Sequence, residues 1–416
     1  MLGEPFILSQ RFGNKVSNIR LRYGISLSAR AECRREQRAG TCQDKPLDCT
    51  LTEGLAWIGR AQDHSLSADG GVARHYDLVR GWGSSYPETT GYIVPTVIRE
   101  GLTRGDKSLL ERARKMLDWL ASIQMPCGAF QGGTIGVPLV PVTFNTGQIL
   151  LGLAAGVKEF GPAYRGSMLA AADWLTQSQD SDGCWRKYPT PYAVPGEKTY
   201  ETHVAWGLFE AARLEPNRGY AEAAMRNVQW ALSQQNSDGW FANCCLTDPQ
   251  TPLTHTIGYV LRGLVEAYRF TGDRNVLQKA SKTAEAAMAL LRSDGFLPGR
   301  VNCRWQGTVS WCCLTGTAQI AICWLLLYLE TGDVRFHQAA LAANRYVRQT
   351  VRLEGPPETR GAVKGSFPVS GDYLRFQYPN WACKFLIDAI RLEKTVSEEK
   401  LEVAIPFSAQ AACLAD

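Results

Sequence analysis

A unit of about 56 residues recurs along this chain of 416 residues. Three copies carry a tryptophan, a glutamine five residues later and a glycine four residues after that: Trp119/Gln124/Gly128, Trp174/Gln179/Gly183 and Trp230/Gln235/Gly239. A fourth copy begins with Trp57 and Gln62, and two degenerate copies carry Asp294-Gly295 and Lys364-Gly365. The turn glycines, from Gly70 to Gly365, lie 58, 55, 56, 56 and 70 residues apart. A period this regular indicates stacked supersecondary units.

Each unit has the pattern of a helix hairpin. Before the turn lies an amphipathic helix, such as the one containing Leu109, Met116 and Leu120, with arginines and lysines on its opposite side. A glycine then supplies a turn residue that tolerates positive φ. After an irregular stretch rich in Pro, aromatic residues and Cys, a second helix begins that is apolar nearly all round, as at 315–331. Such a helix is expected to be buried on all sides.

Six such hairpins predict an all-α fold, the (α/α)6 toroid, in which the amphipathic helices form an outer ring around the buried ones. The inner helices are expected at 88–103, 144–158, 200–214, 254–271, 311–331 and 379–394. A closed ring buries its core as a unit, so residues 48–395 are predicted to be one domain. Residues 1–47 are expected to form a basic, weakly structured N-terminal arm, and residues 396–416 a C-terminal tail.

The net charge of +5 is confined to the N-terminal arm. Residues 1–45 hold nine basic and four acidic side chains, so the remainder of the chain is neutral. A nucleic-acid-binding body should be basic, so nucleic acid is not an expected partner. With 45% hydrophobic and 20% charged residues, the composition excludes a disordered, collagen-like or coiled-coil chain.

The sequence also bears on the compartment. It has no run of about 18 apolar residues, so we expect no membrane span. The N-terminus lacks the pattern of a signal peptide, and the 13 cysteines show no regular disulfide framework. Both observations predict reduced thiols and a cytoplasmic protein. No pattern indicates an oligomeric state.

The repeat resembles those of known families. The element Gln179-x-x-x-Gly183-x-Trp185 is similar to the repeat of squalene and triterpene cyclases and of prenyltransferase β subunits. Polysaccharide lyases, unsaturated uronyl hydrolases and glucuronyl C5-epimerases use the same toroid, and the segment 81–92 resembles uncharacterised proteins encoded near bacterial exopolysaccharide genes. The resemblance covers the whole ring and implies an architecture rather than one activity. The chain departs from the terpenoid branch, because it lacks Asp-x-Asp-Asp and any recognisable Asp, Cys, His zinc pattern.

Catalytic candidates lie where the inner helices begin. Their N-termini should converge at one mouth of the ring, where free N–H groups and the helix dipole favour anions. Proton transfer near neutral pH points to His203 and His255, which occupy equivalent positions on adjacent inner helices. Glu88, Glu201 and Tyr200 are further catalytic candidates. The alternatives are helix capping for the carboxylates, burial as satisfied polar groups for the histidines, and packing for the tyrosine.

Aromatic, arginine and amide side chains at the same mouth would suit a sugar. Aromatic rings can stack on pyranose faces, and an arginine can hold a uronate carboxylate with two hydrogen bonds. The alternatives are surface solvation for the arginines and packing for the aromatic rings. The substrate-binding candidates are Arg74, His75, Tyr86, Tyr92, Asn145, Arg300, Arg304, Trp305, Trp311, Arg375, Tyr378, Asn380 and Trp381.

Five cysteines fall in the fourth and fifth units, at Cys244, Cys245, Cys303, Cys312 and Cys313. Thiolates that meet in space would suit zinc. The absence of a Cys-x-x-Cys spacing favours buried free thiols instead, so neither a metal nor another cofactor is expected.

Three functions remain open. The first is a carbohydrate-active enzyme acting on an acidic, uronate-containing glycan by elimination, epimerisation or hydrolysis, with Glu88 and Glu201 as acid and base in the hydrolytic case. The second is an isoprenoid cyclase or prenyltransferase-like enzyme, which predicts an apolar central cavity. The third is a non-catalytic glycan-binding toroid.

Overall fold

The structure of the protein, a computed structural model, describes residues 26–136 and 138–404. From residue 47 onward, outer and inner helices alternate six times. The outer helices are α2 (Leu47–Asp63), α4 (Lys107–Ser122), α6 (Arg165–Ser178), α8 (Tyr220–Ser233), α10 (Arg274–Met288) and α12 (Val334–Thr350). The inner helices are α3 (Pro87–Arg104), α5 (Thr143–Phe160), α7 (Thr202–Leu214), α9 (Thr254–Thr271), α11 (Leu314–Thr331) and α13 (Asn380–Ala404).

The inner helices form a closed ring. Each one packs against the next along the chain, and α13 packs against α3. The prediction of an all-α (α/α)6 toroid is therefore confirmed. The inner helices follow the expected ranges closely, apart from α13, which runs on to Ala404.

The apolar character of an inner helix is explained by its position. In α11 every residue from Leu314 to Leu327 is buried. By length and composition alone α11 could cross a membrane, but 78% of it is buried inside the ring. Burial on all sides accounts for its sequence.

The glutamine of each well-preserved repeat ties its turn to the next hairpin. The Nε2 of Gln179 donates to the carbonyl of Gly183 at 3.0 Å and to the carbonyl of Ala223, in α8, at 2.9 Å. Gly183 has φ +96°, and a Cβ there would lie 2.4 Å from the carbonyl oxygen of Arg226. The motif is thus a packing device between outer helices, which is why it recurs once per unit.

The sixth turn differs from the sequence prediction. Gly365 was expected as its turn glycine, but Gly365 does not have positive φ, whereas Gly361, four residues earlier, has φ +78°. A Cβ at Gly361 would lie 2.1 Å from the carbonyl oxygen of Glu53, in α2. The sixth turn therefore packs against the first outer helix and closes the ring. The prediction was wrong because the sixth copy has lost the tryptophan and glutamine that mark the others.

The N-terminal arm contains a helix, α1 (Leu27–Ala39). The buried side chains of Glu32 and Glu36 on α1 each lie 2.9 Å from Nζ of Lys364, which is 1% exposed. The expectation of a weakly structured arm is therefore wrong for 27–39, because buried ion pairs attach this segment to the ring. Residues 1–25 of the arm and 405–416 of the tail lie outside the described residues.

Short strands cover the mouth at which the inner helices begin. Strands β1 (His75–Asp77), β2 (Gly81–Trp82) and β5 (Gln377–Pro379) form an antiparallel sheet in the order β2-β1-β5. A second pair joins β3 (Cys312–Cys313) to β4 (Ser366–Phe367). Since β1 belongs to the first unit and β5 to the last, the strands also close the ring at this mouth.

Candidate active site

A cavity of about 230 Å³ lies at the mouth where the inner helices begin. Its walls combine aromatic rings with one carboxyl group, one guanidinium group and one imidazole. The lining residues are Arg74, Tyr86, Glu88, Phe144, Thr190, Tyr192, Tyr200, Leu246, His255, Tyr259, Tyr373, Leu374 and Trp381. Six of the residues predicted from the sequence are thus brought together: Arg74, Tyr86, Glu88, Tyr200, His255 and Trp381.

Glu88 supplies the carboxyl group from the first turn of α3. Its side chain is buried and accepts a hydrogen bond from the hydroxyl of Tyr86. Burial raises the pKa of Glu88 to about 7, although the Tyr86 hydrogen bond and the charge of Arg74 act in the opposite direction. Glu88 is therefore a group that can release and accept a proton near neutral pH.

Arg74 supplies the positive charge, stacked between aromatic rings. Its guanidinium carbon lies 5.8 Å from the ring centre of Tyr86, 5.5 Å from that of Tyr192 and 5.2 Å from that of Trp381. Its Nε is buried and unpaired, and no described carboxylate forms an ion pair with it. A partly desolvated guanidinium without a counter-ion is suited to binding an anionic ligand.

His75 supports Arg74 rather than lining the cavity. An Nη1 hydrogen of Arg74 is donated to Nδ1 of His75 across 3.2 Å. Burial and the neighbouring charge of Arg74 lower the pKa of His75 to about 4. His75 is therefore neutral at pH 7 and can accept this hydrogen bond.

His255 is the histidine that reaches the cavity. Its Nδ1 is bonded to Oε1 of Gln319 at 2.7 Å. Burial lowers the pKa of His255 to about 4, so the ring is neutral at pH 7. The sequence predicted a histidine that titrates near neutral pH. In the structure, Glu88 is the cavity residue whose pKa lies near 7.

His203 occupies the equivalent place on α7 but does not line the cavity. Its side chain is 1% exposed, and its Nδ1 is bonded to Oε1 of Gln148 at 2.7 Å. Burial lowers the pKa of His203 well below its usual value. The ring of Tyr259 contacts both histidines, with ring centres 4.6 Å from His203 and 4.4 Å from His255.

Glu201 is separate from Glu88. It is buried and does not line the cavity, and the charges of Lys198 and Asp180 act on its pKa in opposite directions. Burial raises the pKa of Glu201 well above its usual value. It does not cap α7 through its side chain. The structure therefore does not assemble Glu88 and Glu201 around one cavity, as the hydrolytic hypothesis required.

Most remaining predicted binding residues serve the scaffold. The side-chain amides of Asn145 and Asn380 donate to the carbonyls of Gln131 and Ala73, which fasten loops to inner helices. The other predicted binding residues lie outside the cavity. They are Tyr92 in the core, Arg300 bonded to the Thr251 carbonyl, Arg304 on an exposed loop, Trp305 against Trp240, Trp311 beside Tyr373, Arg375 paired with Asp372, and Tyr378 near the carboxylates of α1.

Seven lining residues are not among the candidates from the sequence: Phe144, Thr190, Tyr192, Leu246, Tyr259, Tyr373 and Leu374. Tyr259 could have been found, because it follows His255 by four residues and so lies on the same face of α9. Phe144 is in the first turn of α5. The others lie on irregular loops, for which helical periodicity gives no signal.

The cysteines do not form a metal site among the described residues. No group of three or more His, Cys, Asp and Glu side chains with suitable geometry occurs in that part of the chain. Burial raises the pKa of Cys244, Cys312 and Cys313 to about 12, so these thiols stay protonated. Burial also raises the pKa of Cys245, and Cys303 is exposed. The five cysteines are free thiols in the described structure.

A second cavity, of about 510 Å³, lies at the opposite end of the ring. Its basic side chains include Arg262 and Arg269, but both pair with the buried carboxylate of Glu266. Cations at the C-terminal ends of helices also offset the helix dipole. This cavity is larger, but its arginines already have partners, unlike Arg74.

Comparisons with known proteins are consistent with the (α/α)6 ring described above. The profile of the squalene-hopene cyclase C-terminal domain matches residues 89–265. No curated protein sequence matches the chain.

Solved structures match nearly the whole toroid. An unsaturated glucuronyl hydrolase specific for heparin is 14% identical, with a TM-score of 0.69, covering 85% of this chain and 98% of that one. A D-mannose isomerase is 13% identical (TM-score 0.65; 84% and 97% covered). A sugar epimerase from a ruminal bacterium is 10% identical (TM-score 0.66; 82% and 98% covered). The expected resemblances to squalene cyclases and to sugar-active toroids are thus confirmed, and at these identities what the structures share with this chain is the (α/α)6 toroid fold.

Proposed function

We propose that the protein is a carbohydrate-active enzyme that transfers protons on a sugar bearing a carboxylate, by elimination or epimerisation. The observation that carries this proposal is the meeting of Arg74, Glu88 and His255 at one aromatic-walled cavity. A volume of about 230 Å³ corresponds to roughly seven or eight water molecules at ~30 Å³ each, which is the scale of a single sugar ring. The sugar-processing neighbours of the same fold are consistent with it.

The chemistry follows from the charges. Arg74 would hold the sugar carboxylate, and neutralising that charge makes the hydrogen on the adjacent carbon more acidic. Neutral His255 would accept this proton. In an elimination the electron pair of the broken C–H bond forms a C=C bond, and the departing oxygen takes its own bonding pair and a proton from Glu88. In an epimerisation the same carbon would instead be reprotonated on its opposite face, with Glu88 as the proton donor, and the proton held by His255 would pass to solvent.

Hydrolysis is less well supported. Glycosidases that use two carboxyl groups need both of them beside the scissile bond. Glu88 is the carboxyl group that lines this cavity, and Glu201 does not line it.

An isoprenoid enzyme is the second candidate, because the cavity has aromatic walls and the squalene-hopene cyclase profile matches 89–265. Two features argue against it. The charge of Arg74 would repel a carbocation at this cavity. Glu88, with a pKa of about 7, is too weak an acid to protonate an alkene.

The test is incubation of the protein in D2O with a panel of uronate-containing oligosaccharides. We expect either ultraviolet absorbance from an unsaturated product or deuterium at the carbon next to the carboxylate. Release of reducing ends without either signal would contradict the proposal in favour of hydrolysis. Saturable binding without turnover would instead indicate a glycan-binding protein, and turnover of a linear polyprenyl substrate an isoprenoid enzyme.

A matched pair of variants tests the role of Arg74. Arg74→Met should raise KM at least about tenfold, because a charge-assisted bidentate contact contributes about 1.5–3 kcal/mol. Arg292 also stacks on an aromatic ring, 4.8 Å from the centre of Phe296, but lies on the outer surface with its side chain 63% exposed. Arg292→Met should leave KM unchanged. Equal effects of the two variants would overturn the assignment.

A further inference from the structure

Two inner helices carry the same buried pair of side chains. On α9, Nδ1 of His255 lies 2.7 Å from Oε1 of Gln319 on α11. On α7, Nδ1 of His203 lies 2.7 Å from Oε1 of Gln148 on α5. Each histidine is the second residue of its helix, and each glutamine is the sixth of its own. The ring therefore contains two histidine–glutamine pairs, although His255 pairs with the following inner helix and His203 with the preceding one.

The hydrogen bond determines which ring nitrogen carries the proton. With Oε1 of Gln319 as the amide atom that faces the ring, Nδ1 of His255 donates, because an amide oxygen only accepts, and Nε2 of the neutral ring keeps its lone pair. No described residue forms a hydrogen bond with Nε2 of His255. The pair thus leaves an unused proton acceptor on a residue that lines the cavity.

Backbone packing holds Gln319 in place. Gly258 lies one turn after His255 on α9, and a Cβ there would come within 2.9 Å of Cβ and 3.2 Å of Oε1 of Gln319. Gly316 of α11 packs equally closely, since its Cβ would lie 2.5 Å from the backbone nitrogen of His255. The glycines let α9 and α11 approach until the amide reaches the imidazole.

In the part of the chain that the structure describes, one of the two pairs borders the cavity. His255 lines it, whereas His203 does not, and Nε2 of His203 is buried without a partner. The ring of Tyr259 contacts both imidazoles. The pairs therefore share the same Nδ1–Oε1 distance but differ in the direction of the pairing and in access to a ligand.

We propose that Gln319 is a positioning residue, which holds His255 in the tautomer whose Nε2 accepts the substrate proton, and that His203 and Gln148 form a structural copy without this role. The inference rests on the proposed function for the step itself, but the tautomer does not depend on it. A carboxylate in place of the amide would favour the imidazolium ion, because it adds a negative charge beside Nδ1–H. An amide orients the ring without charging it.

Other titratable groups surround His255. Glu88 and Arg74 face it across the cavity, and His203 lies beyond Tyr259. The tyrosines around it are Tyr200, Tyr259 and Tyr373, and burial raises the pKa of each well above its usual value. These hydroxyls stay protonated at pH 7, so Glu88 is the neighbour that changes charge near neutrality.

The test uses the full chain labelled with 15N-histidine, in which five histidines give a small number of signals. We expect His255 to show the Nδ1–H tautomer and to stay neutral down to about pH 4. In Gln319→Glu the pKa of His255 should rise by about 1–3 units, and the acidic limb of the pH profile of kcat should move up with it. KM should change little, because Gln319 does not line the cavity.

Gln148→Glu is the matched control. It should raise the pKa of His203 without moving the pH profile of kcat. An Nε2–H tautomer in the unmodified protein, an unshifted His255 in Gln319→Glu, or the same change of pH profile in both variants would overturn the proposal. Absence of turnover on every uronate sugar would overturn the proposed function alone, because the tautomer and the shifted pKa are measured without substrate.

Discussion

Burial acts in opposite directions on the two ionisable groups that would carry the chemistry. It disfavours the charged form of each, so it raises the pKa of Glu88 to about 7 and lowers that of His255 to about 4. At neutral pH the carboxyl group is partly protonated and the imidazole is neutral. One physical cause thus produces an acid and a base side by side.

This shift has a cost in stability that Glu88→Gln should remove. With a pKa near 7 in the folded protein and near 4.5 when unfolded, Glu88 lowers the free energy of unfolding as pH rises from about 4.5 to 7. The variant should therefore gain stability relative to the unmodified protein over that range, by up to about 3 kcal/mol above pH 7. Denaturant unfolding at pH 5 and pH 8 measures the difference.

The same variant should lose nearly all turnover of uronate sugars, since an amide cannot donate a proton to the leaving oxygen. A stability difference that is independent of pH would show that Glu88 does not titrate in this range. That result would remove the assignment of Glu88 as the acid.

The turns between outer and inner helices show why the repeat is so regular. Their glycines combine positive φ with close contact to the next outer helix, so no other residue fits both requirements. The repeated glutamine adds hydrogen bonds to the same neighbour. Selection on this one junction explains a motif that resembles those of enzymes with different activities.

Three alanine substitutions separate these two requirements. Gly183→Ala should destabilise the protein by about 3 kcal/mol or more, because positive φ and a 2.4 Å contact with the Arg226 carbonyl act together. Gly105→Ala, at a left-handed residue (φ +64°, ψ +25°) with open space around it, should cost about 1 kcal/mol. Gly166→Ala, inside α6 and also in open space, should be neutral or slightly stabilising. Thermal unfolding of the three variants gives the order, and equal losses at Gly183 and Gly105 would contradict the packing role.

At the scale of the whole molecule, packing, strand pairing and buried ion pairs join the first and last units of the ring. Gly361 packs on α2, β1 pairs with β5, and α1 is attached through Lys364. Burial raises the pKa of Glu32, but the hydrogen bond from Arg35, followed by the charge and hydrogen bond of Lys364, outweighs it and lowers this pKa to about 2. This contribution to stability is present above about pH 4.5 and is lost as pH falls towards 2.

Lys364→Met should therefore destabilise the protein by about 3–5 kcal/mol near neutral pH, because two buried carboxylates lose their shared cation. The loss should shrink as pH falls towards 2. Lys107→Met, at an exposed position on α4, should have no measurable effect. Denaturant unfolding as a function of pH measures both, and a loss that does not depend on pH would show that packing rather than charge attaches α1.

The ring could be predicted from the sequence because the same pattern recurs about every 56 residues. The closure at Gly361 and the helix α1 could not, since each depends on contacts between residues about 300 positions apart. In the site, Glu88 and His255 were found from their places at helix starts. Tyr192 and Leu246 were not, because loop conformation has no comparable periodicity. His203 shows the limit of such reasoning, since the same place on its helix leaves it buried away from the cavity.

The most direct test of the account is a crystal structure of the protein with a uronate disaccharide. The account predicts that the sugar carboxylate lies on the guanidinium of Arg74, with Nε2 of His255 facing the carbon next to that carboxylate and Glu88 beside the ring. A disaccharide bound instead in the cavity at the opposite end of the ring, beside Arg262 and Trp206, would contradict it.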